Sequence, residues 1–355
     1  MRIVHVVGTR PNLVKMAPVI AAVRERLPEA RSTVVHTGQH YDRAMSEIFF
    51  EELGMPEPDH TLGVGSGTHA EQTARVLERL EPVLATERPD LVLVPGDVNS
   101  TLAAAMCAHR SGVAVGHVES GLRSFDRTMP EEINRIVADH LSALCFIHCD
   151  EAAENLDAEG ADPGVVRFVG NTMIDTLVAL EDRFRAREAA GSLGLEPGSY
   201  LLVTLHRPAL VDGPLLGEAI AALERVAEEM PVVFPVHPRT RKMLGRDPAG
   251  IHLSDPVGYL DFLSLEADAG AVLTDSGGIQ EETTYLGVPC FTLRENTERP
   301  VTVRSGTNTL LGLEPRRIAE IPELLRGRDP GEPPEPPAKW DGHAAARVAD
   351  VIAGW

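Results

Sequence analysis

Cysteine is scarce in this chain of 355 residues, which contains only Cys107, Cys145, Cys149 and Cys290. Cys145 and Cys149 lie on or next to an apolar run, and no second pair completes the spacing of a zinc site. We therefore expect buried, reduced thiols, with neither a disulfide nor a structural metal.

Long apolar runs are also missing. No apolar stretch reaches the length of about 18 residues that a membrane-spanning helix needs. The apolar start, Met1–Gly8, lacks the extended apolar region and the small-residue cleavage site of a signal sequence, and it is better explained as a buried first strand. We expect a cytoplasmic protein that does not bind membranes.

Positive charge is in deficit, because 33 Lys and Arg residues face 53 Asp and Glu residues and leave a net charge of −20. A surface with this net negative charge repels a nucleic-acid backbone, and we expect no nucleic-acid partner. It would also repel an anionic nucleotide. Any nucleotide site must therefore be locally basic or rich in backbone N–H donors.

Short, continuously apolar segments alternate with amphipathic helical patterns along most of the chain. Such segments are typical of parallel strands that are covered by helices on both faces. The predicted strands are Arg2–Gly8, Ser32–Gly38, Leu91–Gly96, Val113–Val118, Leu144–Cys149, Val166–Val169, Tyr200–Leu205, Val232–Val236, Ile251–Leu253, Ala271–Thr274 and Cys290–Leu293. The predicted helices include Ala70–Ala85, Pro130–Leu144, Leu215–Glu229 and Ile279–Leu286. The pattern predicts an α/β fold with doubly wound sheets.

Two composition shifts divide the chain. A charged helical stretch over 171–199 separates the two series of strands, and a proline-rich segment over 327–339 follows the second series. We expect Rossmann-like domains over 1–170 and 171–341, with a final helix over 342–355 that packs back on the first. Ligands of such sheets bind outside the carboxyl ends of the strands.

Three carboxylates follow strands or begin a helix in the first series: Asp97, Glu119 and Glu131. Two of them have an ordinary explanation taken alone, since Asp97 suits a helix cap and Glu131, like Glu132, suits a helix N-terminus. Their convergence on one end of one sheet favours a function. Carboxylates crowded there shift one another's pKa and suit proton transfer.

Several residues could answer the need for local positive charge. Arg10 and Lys15 lie in a loop that leaves the first strand and enters a helix, although this loop matches neither a phosphate-binding loop nor a dinucleotide fingerprint. His206, beside Arg207, and His237 each follow a predicted strand of the second series.

The strongest local signal is Asp275–Glu282, where a buried strand turns through two glycines directly into a helix. Backbone amides at Ser276, Gly277 and Gly278 can bind a diphosphate at the helix start. Glu282 follows one helical turn later, where its carboxylate could accept both ribose hydroxyls.

With these segments in order, the chain resembles the non-hydrolysing UDP-N-acetylglucosamine 2-epimerases. The shared motifs span nearly the whole chain and are Gly8–Pro11, Lys15, Gly96–Asp97, Gly116–Arg123, Pro130–Arg135, Gly170–Thr172, His206–Arg207, Pro235–Pro238, Asp275–Glu282 and Thr297–Pro300. The resemblance implies two Rossmann-like domains in a GT-B arrangement with the active site in the interdomain cleft. It also implies reversible conversion of UDP-N-acetylglucosamine to UDP-N-acetylmannosamine, a homodimer, and no cofactor.

The resemblance also implies roles for individual residues. The catalytic positions of the family fall on Asp97, Glu119, Glu131 and His206. The positions that bind the UDP-sugar fall on Arg10, Lys15, Arg135, His237, Phe262, Ser276, Gly277, Gly278 and Glu282. No metal site is implied.

The sequence departs from the family pattern at three places. Asn12 stands where glutamate is usual, Pro208–Leu210 replaces a usual glutamate after the His206–Arg207 pair, and Tyr41 with Pro208 disrupts the pattern that binds an activating second UDP-N-acetylglucosamine. We therefore expect weak or absent activation. Three alternatives stay open: a hydrolysing 2-epimerase that releases UDP and N-acetylmannosamine, a GT-B glycosyltransferase, and an inactive sugar-nucleotide sensor.

Overall fold

The computed structural model describes residues 1–38, 49–236, 238–244, 246–328 and 334–355. The chain divides into two compact units, of which the first comprises Met1–Ala179 with Ala338–Trp355 and the second Leu180–Pro337. Within the described ranges, none of the helices combines the length and the apolar character needed to cross a bilayer.

The described part of the first unit contains a parallel sheet of seven strands in the order β3-β2-β1-β4-β5-β6-β7. Its strands are β1 (Arg2–Val7), β2 (Arg31–His36), β3 (His60–Thr61), β4 (Leu91–Pro95), β5 (Ala114–Val118), β6 (Leu144–Ile147) and β7 (Val166–Phe168). Its helices are α1 (Arg10–Arg26), α2 (His69–Glu87), α3 (Asn99–Arg110), α4 (Pro130–Leu141), α5 (Asp150–Ala158) and the start of α6 (Thr172–Arg185). The chain winds outward in both directions from the neighbouring strands β1 and β4, as in a doubly wound sheet.

The second unit repeats this design with a parallel sheet of six strands in the order β10-β9-β8-β11-β12-β13 among its described residues. Its strands are β8 (Leu201–Thr204), β9 (Val232–Pro235), β10 (Ile251–Ser254), β11 (Ala271–Thr274), β12 (Cys290–Thr292) and β13 (Asn308–Leu310). Its helices are α7 (Ala189–Ser192), α8 (Pro208–Val211), α9 (Leu215–Val226), α10 (Pro238–Leu244), α11 (Tyr259–Ala267), α12 (Gly277–Leu286), α13 (Pro300–Arg304) and α14 (Ile321–Arg326).

Burial explains why the apolar segments form strands. Every residue of β4 and of β11 is buried, as expected for central parallel strands with helices on both faces. Helix α2 shows the other periodicity, because Val76, Leu80 and Leu84 recur every fourth residue and form its buried stripe. Thr68 and Glu71 close the start of this helix with a capping box.

The predicted fold class, α/β with two doubly wound parallel sheets, is confirmed. Each predicted strand is present with its ends shifted by at most two residues. The strands His60–Thr61 and Asn308–Leu310 were not predicted, because segments of two and three residues are too short to show a periodic pattern. Helix α12 begins at Gly277, two residues before the predicted start, since the paired glycines form its first turn rather than a preceding loop.

The chain returns to the first unit after the second. Helix α15 (Ala344–Ala353) packs on α1, and its first amides, of Ala344 and Ala345, donate to the carboxylate of Asp175 at 3.0 and 2.6 Å. Asp175 lies near the start of α6, and α6 itself begins in the first unit and ends in the second. The compact units therefore divide between Ala179 and Leu180, within α6, whereas the sequence pattern placed the division just before it.

Candidate active site

The carboxyl ends of β4 and β5 lie side by side in the first unit. Gly96 follows β4 and donates its backbone N–H to the carbonyl of Val118 at 2.9 Å. A methyl group at Gly96 would lie 3.1 Å from Nζ of Lys15 and 3.2 Å from Oε2 of Glu119, and its φ of +62° also favours glycine. Glycine at this position therefore allows the two charged groups to approach the end of β4.

Lys15 and Glu119 form an ion pair, and their side chains are 7% and 6% exposed. Lys15 comes from α1, whereas Glu119 directly follows β5. The backbone of Glu119 lies in the left-handed region, at a φ of +68°, which is costly for a residue other than glycine. The backbone amides of Glu119 and Ser120 both donate to the carbonyl of Phe146, at 3.1 Å, and hold this conformation. The structure thus joins one predicted catalytic residue to one predicted ligand of the substrate.

Asp97 is fixed from two sides by α4. Its carboxylate forms an ion pair with Arg135, whose side chain is 1% exposed, and its carbonyl accepts the Nδ2 group of Asn134 at 2.8 Å. Arg135, predicted to bind substrate, is thus a buried partner of a predicted catalytic acid. Part of the Asp97 side chain, 21%, remains exposed.

The neighbouring glutamates of α4 differ in their surroundings. Glu132 is buried and accepts the backbone amides of Ser124 at 2.8 Å and Phe125 at 3.0 Å, so it anchors the loop before the helix. Glu131 is half-buried, and no hydrogen bond or ion pair of its carboxylate is found among the residues that the structure describes. Of the two, Glu131 is the one whose carboxylate is available for chemistry.

Arg10 and Asn12 lie at the start of α1. The guanidinium of Arg10 is 5.7 Å from the centroid of the Phe49 ring, a cation–π contact. Asn12, which stands where the family usually has glutamate, is buried and donates its Nδ2 group to the carbonyl of Pro95 at 3.3 Å. The side chain of Asn12 therefore links α1 to the end of β4.

In the second unit, His206 lies at the end of β8 beside a buried carboxylate. Its Nδ1 atom is 2.8 Å from Oδ1 of Asp275. The backbone amides of His206 and Arg207 donate to Oδ2 of Asp275, at 2.8 and 2.7 Å. Burial tends to raise the pKa of Asp275, but these hydrogen bonds and the charge of His206 lower it overall. An anionic Asp275 fixes the imidazole and leaves it 57% exposed.

Ser276, Gly277 and Gly278 form the start of α12. Ser276 occupies the N-cap position, and the amides of the first turn have no carbonyl partner within the helix. A methyl group at Gly277 would lie 2.5 Å from Nη1 of Arg299, so the close approach of this guanidinium requires glycine. The amide of Ser276 donates to Oγ1 of Thr274 at 2.9 Å, and Arg299 also forms ion pairs with Glu281 and Glu298. The amides of Gly277 and Gly278, at the positive end of the helix dipole, are therefore the donors that suit an anionic ligand.

Glu282 lies further along α12 and is buried. Its Oε1 atom accepts the hydroxyl of Tyr259, on α11, at 2.7 Å. Burial raises the pKa of Glu282 to about 7. Phe262, also on α11, is half-buried and packs against the core cluster that includes Tyr200.

Two residues singled out in the sequence, His237 and Tyr41, lie outside the described residues. Within either unit, the described part of the chain brings no three ligand atoms of His, Cys, Asp or Glu together at metal-binding distance.

In the second unit, sequence reasoning missed Asp275, Arg299 and Tyr259. Asp275 and Arg299 belong to motifs quoted from the sequence, which was a signal for both. The partners of all three depend on which strands and helices are neighbours, and this is not visible in a single sequence.

Comparisons with known proteins identify the family of this chain. The family model for UDP-N-acetylglucosamine 2-epimerase matches residues 22–353. A UDP-N-acetylglucosamine 2-epimerase of Methanococcus maripaludis is 42% identical over 334 residues, which cover 90% of each chain. A UDP-2,3-diacetamido-2,3-dideoxy-D-glucuronate 2-epimerase of Pseudomonas aeruginosa is 40% identical over 365 residues, covering 99% of each chain.

A solved structure shows the same fold. The crystal structure of the Methanocaldococcus jannaschii UDP-GlcNAc 2-epimerase in complex with UDP-GlcNAc and UDP matches with a TM-score of 0.88 and 38% identity, covering both chains completely. Family model, relatives and structure all agree, and this chain therefore belongs to the UDP-N-acetylglucosamine 2-epimerase family.

Proposed function

We propose that this chain interconverts UDP-N-acetylglucosamine and UDP-N-acetylmannosamine at sugar C2 without net hydrolysis. One observation carries the proposal beyond family membership. The first unit presents Asp97 and Glu119 after the neighbouring strands β4 and β5 and Glu131 in the first turn of α4, and the first two are held by the buried cations Arg135 and Lys15. Such a set supplies acids and bases for two faces of one carbon.

The second unit supports binding of uridine diphosphate. The amides of Ser276, Gly277 and Gly278 would bind the diphosphate, Glu282 the ribose and Phe262 the base. His206, with Arg10, Lys15 and His237, would stabilise the negative charge of the leaving diphosphate. The related enzyme of M. jannaschii was crystallised with UDP-GlcNAc and UDP, which supports this class of ligand.

The chemistry requires more than the removal of a proton. Hydrogen at C2 of the hexose is not adjacent to a carbonyl, so deprotonation without loss of a leaving group would be very slow. We propose that a carboxylate removes the C2 proton while the C1–O bond to UDP breaks, which gives 2-acetamidoglucal and UDP. UDP then adds back to C1 as a second group delivers a proton to the opposite face of C2.

Proton and phosphorus NMR in D₂O test this proposal. We expect deuterium at C2 of UDP-N-acetylglucosamine, followed by signals of UDP-N-acetylmannosamine. Glu119→Gln and Glu131→Gln should each abolish most of this exchange, whereas Glu154→Gln, at an exposed position of α5, should not. Near-native turnover in either of the first two variants would reject the assignment of the acids.

The same spectra separate the other functions. Free N-acetylmannosamine with stoichiometric UDP would identify a hydrolysing enzyme. Absence of deuterium at C2 would point to a sugar-nucleotide sensor, or to a glycosyltransferase if an added acceptor is glycosylated.

A second substrate is supported by one comparison. The P. aeruginosa relative, which matches over 99% of both chains, is a 2-epimerase of UDP-2,3-diacetamido-2,3-dideoxy-D-glucuronate. Offering both sugar nucleotides in one reaction in D₂O measures the ratio of the two kcat/KM values directly. We expect UDP-N-acetylglucosamine to be preferred, and the opposite preference would change the assigned substrate.

We also propose that the enzyme is a cytoplasmic homodimer that UDP-N-acetylglucosamine activates weakly or not at all. Light scattering after size exclusion measures the mass in solution. A sigmoidal rate curve for UDP-N-acetylmannosamine that added UDP-N-acetylglucosamine makes hyperbolic would contradict the second part.

A further inference from the structure

A completely buried histidine lies between the two strand ends that carry Asp97 and Glu119. His117 is 0% exposed in β5. Its Nδ1 atom is 2.6 Å from Oδ1 of Asp139, and its Nε2 atom is 2.6 Å from the carbonyl oxygen of Gly96. A carbonyl oxygen can only accept a hydrogen bond, and so can an ionised carboxylate.

Asp139 is ionised in this environment. Burial tends to raise its pKa, but its hydrogen-bond and ion-pair partners lower it overall, and one of them, the guanidinium of Arg123, is charged whatever the state of His117. Oδ2 of Asp139 lies 2.8 Å from Nη1 of Arg123 and accepts the amide of Gly121 at 3.1 Å. Both nitrogens of His117 therefore face acceptors, and each must carry a hydrogen.

The charges around the histidine lead to the same conclusion. Arg123 is shared between Asp139 and Glu159, whose Oε2 atom is 2.7 Å from Nη2. One guanidinium thus faces two carboxylates, and a positive charge on His117 balances the cluster. Cys145 pairs with His117 across the sheet, and burial raises the pKa of its thiol to about 11, which keeps the thiol neutral.

The His117–Asp139 pair is connected to both candidate acids through the backbone. Gly96, whose carbonyl accepts from His117, immediately precedes Asp97. Gly121, whose amide donates to Asp139, lies two residues after Glu119. Neither member of the pair can move without shifting the backbone beside a predicted catalytic carboxylate.

We propose that His117 is an imidazolium whose two N–H groups, together with Asp139, set the relative positions of Asp97 and Glu119. It is a positioning residue, because it acts on the reaction through the backbone of other groups. The consequence for turnover rests on the proposed function of the two acids, whereas the protonation state of His117 does not.

The same sheet contains an internal reference. His5, in β1, is also 0% exposed, but only one of its ring nitrogens has a partner, the Ser32 hydroxyl at 2.8 Å. Burial, followed by the charge of Arg24, lowers the pKa of His5 to about 3, so this histidine is neutral. Two equally buried histidines of one sheet should therefore differ in charge.

Nitrogen NMR of the histidine rings tests the charge in the unmodified protein. At neutral pH we expect both ring nitrogens of His117 to carry hydrogen and one ring nitrogen of His5 to lack it. The variants His117→Gln and His5→Gln assign the signals by their disappearance. An unprotonated ring nitrogen in His117 would overturn the proposal without any measurement of activity.

The same two variants test the positioning role. His117→Gln should lower kcat by roughly 10²-fold with little change in KM, the size expected from a misplacement of about 1 Å. Backbone amide signals of Asp97 and of Glu119–Gly121 should shift. His5→Gln should preserve both kcat and those signals.

The outcomes remain distinguishable. If the unmodified chain exchanges no C2 hydrogen, the proposed function fails, and the ring and amide signals still decide the role of His117. Unmoved amide signals in folded His117→Gln, or an unchanged kcat, would refute positioning. If His117→Gln does not fold, Asp139→Asn replaces it, and we expect the His117 ring to lose one hydrogen and the same amide signals to shift.

Discussion

Replacing Asp275 by asparagine is a selective perturbation of the proposed nucleotide site in the second unit. Oδ2 of Asp275 accepts both backbone amides, of His206 and Arg207, and an asparagine oxygen can replace it there. The contact that changes is the one between Oδ1 and Nδ1 of His206, at 2.8 Å. An asparagine NH₂ group at that position would make Nδ1 an acceptor and remove the negative charge beside the imidazole.

The expected loss is that of one hydrogen bond from the His206 imidazole to the diphosphate. Hydrogen bonds to charged groups contribute about 1.5–3 kcal/mol. Since about 1.4 kcal/mol corresponds to a factor of ten, UDP should bind roughly 10- to 100-fold more weakly to Asp275→Asn. The free energy of unfolding should change less, because the His206 side chain is 57% exposed.

Titration calorimetry with UDP measures the effect, and C2 deuterium exchange measures its consequence for turnover. Asp268→Asn is a matched control, because Asp268 precedes β11 and so lies at the opposite end of the strand that Asp275 follows. The double variant His206→Ala/Asp275→Asn should bind UDP no more weakly than His206→Ala, since both changes remove the same interaction. If the dissociation constant of folded Asp275→Asn for UDP lies within roughly twofold of that of the unmodified chain, the reasoning is wrong.

Three further results are expected. Uridine, which has no phosphate to titrate, should bind up to about tenfold more weakly per pH unit below pH 7, because protonation of Glu282, with its pKa of about 7, removes the proposed acceptor of the ribose hydroxyls. Calorimetry of Glu282→Gln should show no such slope. Lys15→Met should lower the free energy of unfolding in urea by about 3–5 kcal/mol, because it removes the ammonium partner of the buried Glu119 carboxylate. Adding Glu119→Gln should restore part of that loss. Because burial raises the pKa of Asp175 to about 6, its contribution to stability is complete below about pH 4 and is lost as the pH rises through 6. Asp175→Asn should flatten this part of the pH–stability curve, and an unchanged curve would contradict the assignment.

Local patterns predicted the parts of the site that one segment builds alone. The turn through Gly277 and Gly278 into α12 is contained in consecutive residues, so strand, glycines and helix could all be predicted from Asp275–Glu282. The same holds for Asp97 and Glu119, which directly follow apolar strands.

Contacts between distant segments could not be predicted. β8 and β11 are neighbours in the sheet, although β9 and β10 separate them along the chain, so the contact of His206 with Asp275 becomes visible only once the strand order is known. The helix pattern also could not distinguish Glu131 from Glu132. Both suit a helix N-terminus, and only the loop at Ser124 determines which is buried.

The return of the chain to its first unit affects the order in which the protein matures on the ribosome. Trp340 is 2% exposed and donates its Nε1 group to the carbonyl of His148 at 2.9 Å, so the core around it needs a residue that is translated after the entire second unit. The second unit can fold as soon as its own residues leave the ribosome. The first unit cannot be completed until Ala338–Trp355 has also been translated. Synthesis that stalls after Pro337 would therefore leave the unit translated first unfinished and the later one complete.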